Sequence, residues 1–296
     1  MVRVDAILLC MKKRGIRFFG RIKFPNTDVI RYHTRTEFLA HVRSRENEYD
    51  NVLFMAHGAE DSIITPVFRT QKYVRYITEA EADAFKNDFV FAVSCSTAKQ
   101  FGRKCVEEGA IAYLGYEVQF GNLFSCTNDN NRVFPKHVRK SIDLIVKHIF
   151  INALSSAYEE FLRNPISVKV LRERYAFLLE QSIAELSDMT VDELHTRYSV
   201  RISEHEFNKY FVYLVSMTLS SLDEILPCLI CLGDENYISP TFIKYQIEMG
   251  KDSNYLAQEL QENASFQMIH NQAFRAYMLS KLQEDRAAAG VAYTLQ

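Results

Sequence analysis

Phe54-Met55-Ala56-His57-Gly58 and Ala92-Val93-Ser94-Cys95-Ser96-Thr97-Ala98 are the two stretches on which the fold of this chain turns. Each starts as a short run of apolar residues, the right length for a strand buried on both faces. Each then breaks abruptly into small and polar residues. Working outward, Val4 to Met11 and Val29 to Tyr32 read as earlier strands, and Thr36 to Arg45 reads as a helix with Phe38, Leu39 and Val42 on one face. Val52 to Ala56 and Phe89 to Ser94 are the two runs themselves. Between them, Thr78-Glu79-Ala80-Glu81 is a capping box that predicts a helix to about Lys86. Ser96 to Glu108 has helical spacing (Ala98, Phe101, Cys105), Gly109 stops it, and Ala110 to Tyr116 is a third buried run.

Strand, helix, strand, helix, strand, with strands apolar on both faces, predicts an α/β fold: a mostly parallel central sheet covered by helices through right-handed crossovers. Ligands in such sheets gather beyond the carboxyl ends of the strands. His57 and Cys95 both fall there.

Beyond Tyr116 the chain turns polar (Gly121, Asn122, Thr127 to Asn131, Pro135), as expected of a substrate-facing loop. From His137 to about Ser220 the pattern is helical, with capping boxes at Thr190/Glu193 and Ser203/Glu206. Ile225 to Leu232 reads as one more buried strand. From Pro240 an amphipathic helical stretch runs to about Arg286, followed by a loose tail.

The bulk numbers narrow the function classes. A formal net charge of −2 gives no global basic field for nucleic acid or anionic lipid. The local cluster Lys12, Lys13, Arg14, Arg17, Arg21 and Lys23 reads as a solvated hairpin. No stretch reaches the ~20 apolar residues of a membrane span, and Met1 to Met11 lacks the features of a signal peptide. Six cysteines in 296 residues do not make a disulfide framework; they suit a reducing cytoplasm. Cys228-Leu229-Ile230-Cys231 has redox-like spacing but lies in apolar surroundings with no second ligand pair, so it reads as strand rather than zinc site. Cys105 reads as packed and Cys126 as a loop thiol. His205-Glu206-Phe207-Asn208-Lys209 lacks the second histidine of a zinc protease helix, and the Gly-x-Ser-x-Gly of serine hydrolases is missing.

A histidine at one strand tip and a cysteine at the next are the minimum equipment for thiol nucleophilic catalysis. A free thiol is only a few per cent ionised at neutral pH, and a helix beginning directly after Cys95 would favour the thiolate. His57 can take the thiol proton and return it to a leaving amine. The N–H groups of Gly58 and Cys95 can form an oxyanion hole.

These residues resemble the caspase-like cysteine peptidases, the group that includes caspases, gingipains, separase and CHAT domains. Phe54 to Gly58 is similar to that group's hydrophobic-strand-then-His-Gly motif. Val93 to Ala98 is most similar to the CHAT nucleophile motif Ser-Ala-Cys-x-Thr, with Ser94 at the usual alanine. Gly109 to Tyr116 resembles the following strand. Leu229 to Asp234 resembles a late strand ending in Gly-Asp-Pro, with Glu235 at the proline, and Asn164 to Arg172 resembles the helical segment before it. The resemblance spans roughly residues 1–240, with 241–296 a helical C-terminal extension. It implies a caspase-like three-layer α/β/α fold with a His57/Cys95 dyad that cleaves a peptide bond in a protein substrate through a thioacyl-enzyme. No metal or organic cofactor is implied. By analogy it implies a cytoplasmic effector of bacterial, including antiviral, defence or cell death, controlled by a regulatory or ligand-sensing partner.

Residues after Tyr116 match no family pattern, so the pocket for the substrate side chain is open. Glu60, Asp61 and Glu117 lie near strand ends as candidates to receive a basic side chain, against the plainer reading of solvated loop carboxylates. Two other classes compete. One is a catalytically silent module on the same fold that docks partners through 137–220 and 241–286. The other is a doubly wound binding domain unrelated to peptidases.

Overall fold

The three apolar runs stand side by side in one sheet, and their order follows from the short connections between them. The computed structural model describes residues 3–9, 28–32, 35–36, 39–40, 50–66, 73–119, 135–239 and 241–242. The basic cluster Lys12 to Lys23, most of the helix expected over 36–45, Cys126 with most of its polar loop, and nearly all of the C-terminal extension lie outside the described residues.

The strands are β1 (Arg3–Leu9), β2 (Asp28–Tyr32), β3 (Asp50–Met55), β4 (His57–Ala59), β5 (Ser62–Pro66), β6 (Tyr73–Thr78), β7 (Phe89–Val93), β8 (Ala112–Tyr116) and β9 (Leu229–Gly233). Six of them form a mixed, mostly parallel sheet in the order β2-β1-β3-β7-β8-β9. All neighbours run parallel except β8 and β9. The other three form a small antiparallel sheet, β4-β5-β6, directly after β3.

Alternate residues of the central strands feed two cores. Leu53, Met55, Phe91, Val93, Leu114 and Tyr116 face one layer. It is built by α2 (Lys136–Arg163), α3 (Val168–Glu185), α4 (Val191–Tyr198) and α5 (Val212–Ile225), all lying between β8 and β9 in sequence. Val52, Phe54, Val90, Ala92 and Tyr113 face the other layer. It is formed by the β4–β6 sheet, a 3-10 helix at Glu79–Phe85 and the short helix α1 (Phe101–Glu107). Both crossovers, β3 to β7 and β7 to β8, step the same way across the sheet. Right-handed connections therefore put both on one face.

Aromatic side chains fill both interfaces. Phe54, Phe85, Phe101 and Tyr113 make a chain of edge-on contacts with centroids 5.4–6.2 Å apart on one side. On the other side Phe89 meets Phe161 at 5.1 Å. Each fully buried ring of this size is worth ~2–3 kcal/mol in burial, so the centre of the sheet is the most strongly held part of the fold.

The three predicted capping boxes are present. Thr78 and Glu81 cap the 3-10 helix, Thr190 and Glu193 cap α4, and Ser203 and Glu206 cap the turn that leads through a π-helical stretch, Phe207–Phe211, into α5. Two expectations change. The helix read from Ser96 starts only at Phe101, because residues 96–100 form turns. The last strand runs antiparallel and, among the described residues, lies at the edge of the sheet; of its residues only Leu229 is fully buried.

Candidate active site

Register brings the two opening motifs together. Met55 pairs with Val93 at the last rung of the β3–β7 ladder. His57 and Cys95 each follow that rung by two residues, His57 opening β4 and Cys95 the turn after β7. Cys95 packs against the core to which Met55 and Val93 belong, and both His57 and Cys95 are partly exposed.

Gly58 explains how close the two tips come. A Cβ built on Gly58 would lie 2.3 Å from the Cys95 carbonyl oxygen, 3.0 Å from the Cys95 nitrogen and 2.6 Å from Cγ2 of Thr97. Only a residue without a side chain lets the His57-Gly58 backbone rest directly on the cysteine turn. Ser94, fully buried, ties the tips again by donating its hydroxyl to the Ala56 carbonyl at 3.0 Å.

The hairpin after His57 sets the direction of the Gly58 N–H. Glu60 and Asp61 form a two-residue turn, and Ala59 pairs with Ser62 across it. The closing pair of such a turn is hydrogen-bonded, and pairs alternate along an antiparallel ladder. Gly58, opposite Ile63, is therefore in a non-hydrogen-bonded pair, and its N–H points away from β5.

The cysteine turn is held from both sides. Ser96 adopts a left-handed conformation (φ 57°), a strained geometry for a non-glycine residue that costs roughly 1 kcal/mol or more. Beyond it, the Ser96 N–H donates to Val118 O and the Ala98 N–H to Tyr116 O, at 3.0 and 3.1 Å. The N–H groups of Gln100 and Phe101 both donate to Glu60 O. Sharp reversal after the strand leaves Cys95 at the crest. It also removes the expected help from a helix dipole, because α1 begins six residues later and the field fades within a turn of the helix end.

The three carboxylates near the tips each face a cation. Glu60 pairs with Lys99 at 2.6 Å, Asp61 with Arg75 at 2.5 Å, and Glu117 with Arg103 at 2.9 Å. Glu60 raises the pKa of the Lys99 ammonium by accepting its hydrogen bond. The Glu60–Lys99 pair spans the two motif loops. These groups surround the tips as a rim of neutralised charge.

The remaining described thiols differ. Cys105 is fully buried on α1, and burial pushes its thiol well up. Cys231 is half-buried on the edge strand, with its thiol pushed up to about 12 mainly by burial. Among the described residues no three His, Cys, Asp or Glu side chains cluster as metal ligands, and no helix is long and apolar enough to cross a membrane.

Sequence reasoning missed Ser94 as a cross-link and Thr97 against Gly58, and also the buried hydroxyl pair Tyr116–Tyr175 between β8 and α3. Tyr116 carried a signal, since it ends the strand beside the cysteine strand. Tyr175 lies 59 residues further on in a helix and carried none. The chain matches no family model and no curated protein.

Proposed function

We propose that the chain is a cysteine endopeptidase of the caspase-like, CHAT type, with Cys95 as nucleophile and His57 as its proton acceptor and donor. The observation that supports this most is the seating of Gly58, the neighbour of His57, directly on the Cys95 backbone at the tips of two paired strands. His57 takes the Cys95 proton, and the sulfur attacks the substrate carbonyl carbon. The N–H groups of Gly58 and Cys95 receive the developing oxyanion, an effect typically worth a hundredfold or more per donor. The tetrahedral species collapses as His57 protonates the leaving amine. Water activated by His57 then hydrolyses the thioester and frees the thiol.

In this reading the substrate is a protein, and a regulatory or ligand-sensing partner controls access to it in the cytoplasm. The ion-paired state of Glu60, Asp61 and Glu117 gives a basic substrate side chain no unneutralised carboxylate among these three.

Labelling with a thiol-reactive peptide electrophile, located by mass spectrometry, tests the dyad. The wild type is expected to react at Cys95, Cys95→Ala to lose that adduct, and His57→Ala to react at least a hundredfold more slowly, the usual weight of a general base. Equal rates in wild type and His57→Ala would remove the dyad.

A further inference from the structure

Two buried hydroxyls stand at the strand tips, and each holds a peptide carbonyl. Ser94 and Thr97 are both fully buried. The Ser94 hydroxyl donates to the Ala56 carbonyl at 3.0 Å, between residues 38 apart in sequence. The Thr97 hydroxyl donates to the Ser94 carbonyl at 3.3 Å. Those carbonyls belong to the Ala56–His57 and Ser94–Cys95 peptides. Each is the peptide bond that leads into a candidate reacting residue. A peptide unit is planar, so holding its carbonyl also fixes the N–H and the Cα on its far side.

The main-chain ladder loosens at this point. Met55 and Val93 form its last rung. Beyond them the Ala56 N–H reaches the Val93 carbonyl only at 3.5 Å, longer than the roughly 2.7–3.2 Å usual for such bonds. The shorter Ser94 bond carries the joint to the residue before His57. After His57, Gly58 rests on the Cys95 backbone and against Cγ2 of Thr97. The residues on both sides of His57 are thus seated on the cysteine turn. Cys95 is steadied in turn from its far side, where the Ser96 N–H donates to Val118 O. Packing alone does not call for the Ser94 oxygen, because alanine would end the strand without a hydroxyl to desolvate.

We propose that Ser94 is a positioning residue of the site: its hydroxyl sets the spacing of His57 and Cys95, and Thr97 steadies the peptide from which it acts. A side chain adjoining the nucleophile thereby holds the residue adjoining the base. Ser94 acts through the backbone, and no covalent bond is made or broken at its hydroxyl. With this brace in place His57 takes the Cys95 proton, which keeps the sulfur ionised below the pH range of an ordinary thiol. Without it the tips part and the thiol returns towards its ordinary behaviour. The inference rests on the peptidase reading for its dyad, but its test does not require cleavage of any peptide.

Iodoacetamide alkylation of Cys95, followed by mass spectrometry across pH, reads the thiol directly in the full chain. His57→Ala is expected to raise the alkylation midpoint. Ser94→Ala is expected to raise it about one pH unit and to slow alkylation at pH 7 about tenfold, one unit being tenfold in thiolate. In the His57→Ala background, Ser94→Ala is expected to change neither midpoint nor rate, because the brace acts only through His57. A purely structural role would lower the melting temperature and leave the midpoint unchanged. Folding is checked by circular dichroism, and Thr97→Val, expected to raise the midpoint by less, decides the matter if Ser94→Ala does not fold. Two results overturn the brace and leave the dyad: a midpoint that His57→Ala moves and the folded brace variant does not, or an equal shift with and without His57. A midpoint that His57→Ala leaves unmoved removes the dyad, and the brace falls with it.

Discussion

Cys95 follows a strand of the same sheet that holds Cys231, and the two are similarly half-buried, yet their surroundings differ. Cys95 lies two residues past the last rung of a central strand, where the chain turns sharply over Gly58. Cys231 lies inside the ladder of an edge strand, opposite Leu114. Burial lifts its thiol to about 12, Arg172 offsets part of this, and Glu235 and Asp234 add to it. Such a thiol stays protonated at neutral pH and is a poor nucleophile. What differs is not exposure but where the chain leaves the sheet. At the tip, Gly58 rests on the Cys95 backbone, and the turn that follows donates to carbonyls of residues 116 and 118. On the edge rung the sulfur donates to the Leu232 carbonyl of its own strand, at 3.8 Å.

Two glycines separate these regions experimentally, with the largest effect expected at the tip. Gly58→Ala would place its Cβ 2.3 Å from the Cys95 carbonyl, so the backbone must move. Overpacking of this kind costs ~1–3 kcal/mol, and a displacement near 1 Å at a reacting group can cost about a hundredfold in rate. Gly233→Ala would place its Cβ 2.5 Å from the Ile111 carbonyl at a φ of 80°, a comparable strain on the edge strand. Both variants are expected to melt several degrees lower. Only Gly58→Ala is expected to slow electrophile labelling of Cys95, by about a hundredfold. Equal labelling in the two variants would erase the distinction between tip and edge.

An intermediate effect is expected on the alkaline side. The Cys231 thiol titrates at about 12 in the folded chain against an ordinary value of 9.0. Between those values the folded state holds a proton that the unfolded state has lost. Stability that is fully present below about pH 9 is therefore lost as pH rises towards 12. Denaturant melts of wild type and Cys231→Ala from pH 8 to 11 should show a shallower decline in the variant. The gap is on the order of 1–3 kcal/mol after discounting for partial exposure. Parallel curves would show the edge thiol to be as solvated as an ordinary one.

How far these regions were readable beforehand depends on how local their determinants are. The capping boxes at Thr78/Glu81, Thr190/Glu193 and Ser203/Glu206 are four-residue devices, and all three appear where the sequence puts them. The central strands were legible because burial on both faces leaves uninterrupted apolar runs. The turn over 96–100 was not. Ala98, Phe101 and Cys105 are buried together, which satisfies helical spacing whether the helix starts at 96 or at 101. The deciding bonds, from the Ser96 and Ala98 N–H groups to carbonyls of residues 118 and 116, come from another strand. The edge position of β9 was equally hidden, since an apolar run does not state its direction or its neighbours. At the site itself, His57, Gly58 and Cys95 stood out by residue type. The Ser94 cross-link and the Thr97 contact with Gly58 did not, because both depend on how the two strand tips meet.

The smallest effect lies behind the tip, on the 3-10 helix whose Phe85 packs edge-on against Phe54 of β3. Burial raises the Glu81 carboxyl pKa. The Thr78 hydroxyl and N–H, at 2.7 and 2.8 Å, and the Arg35 guanidinium outweigh it and hold that pKa below the ordinary carboxylate range. The unfolded chain therefore takes up this proton at higher pH than the folded one. The contribution is complete above the ordinary carboxylate range and disappears as pH falls through the lower folded value, the mirror image of the Cys231 case. Glu81→Gln should melt about one or two degrees below wild type at pH 7, and the two curves should draw together as pH falls below the ordinary carboxylate range. A constant gap at every pH would mean that Glu81 acts through its shape and hydrogen bonds rather than its charge. The acid limb would then say nothing about the support of the tip.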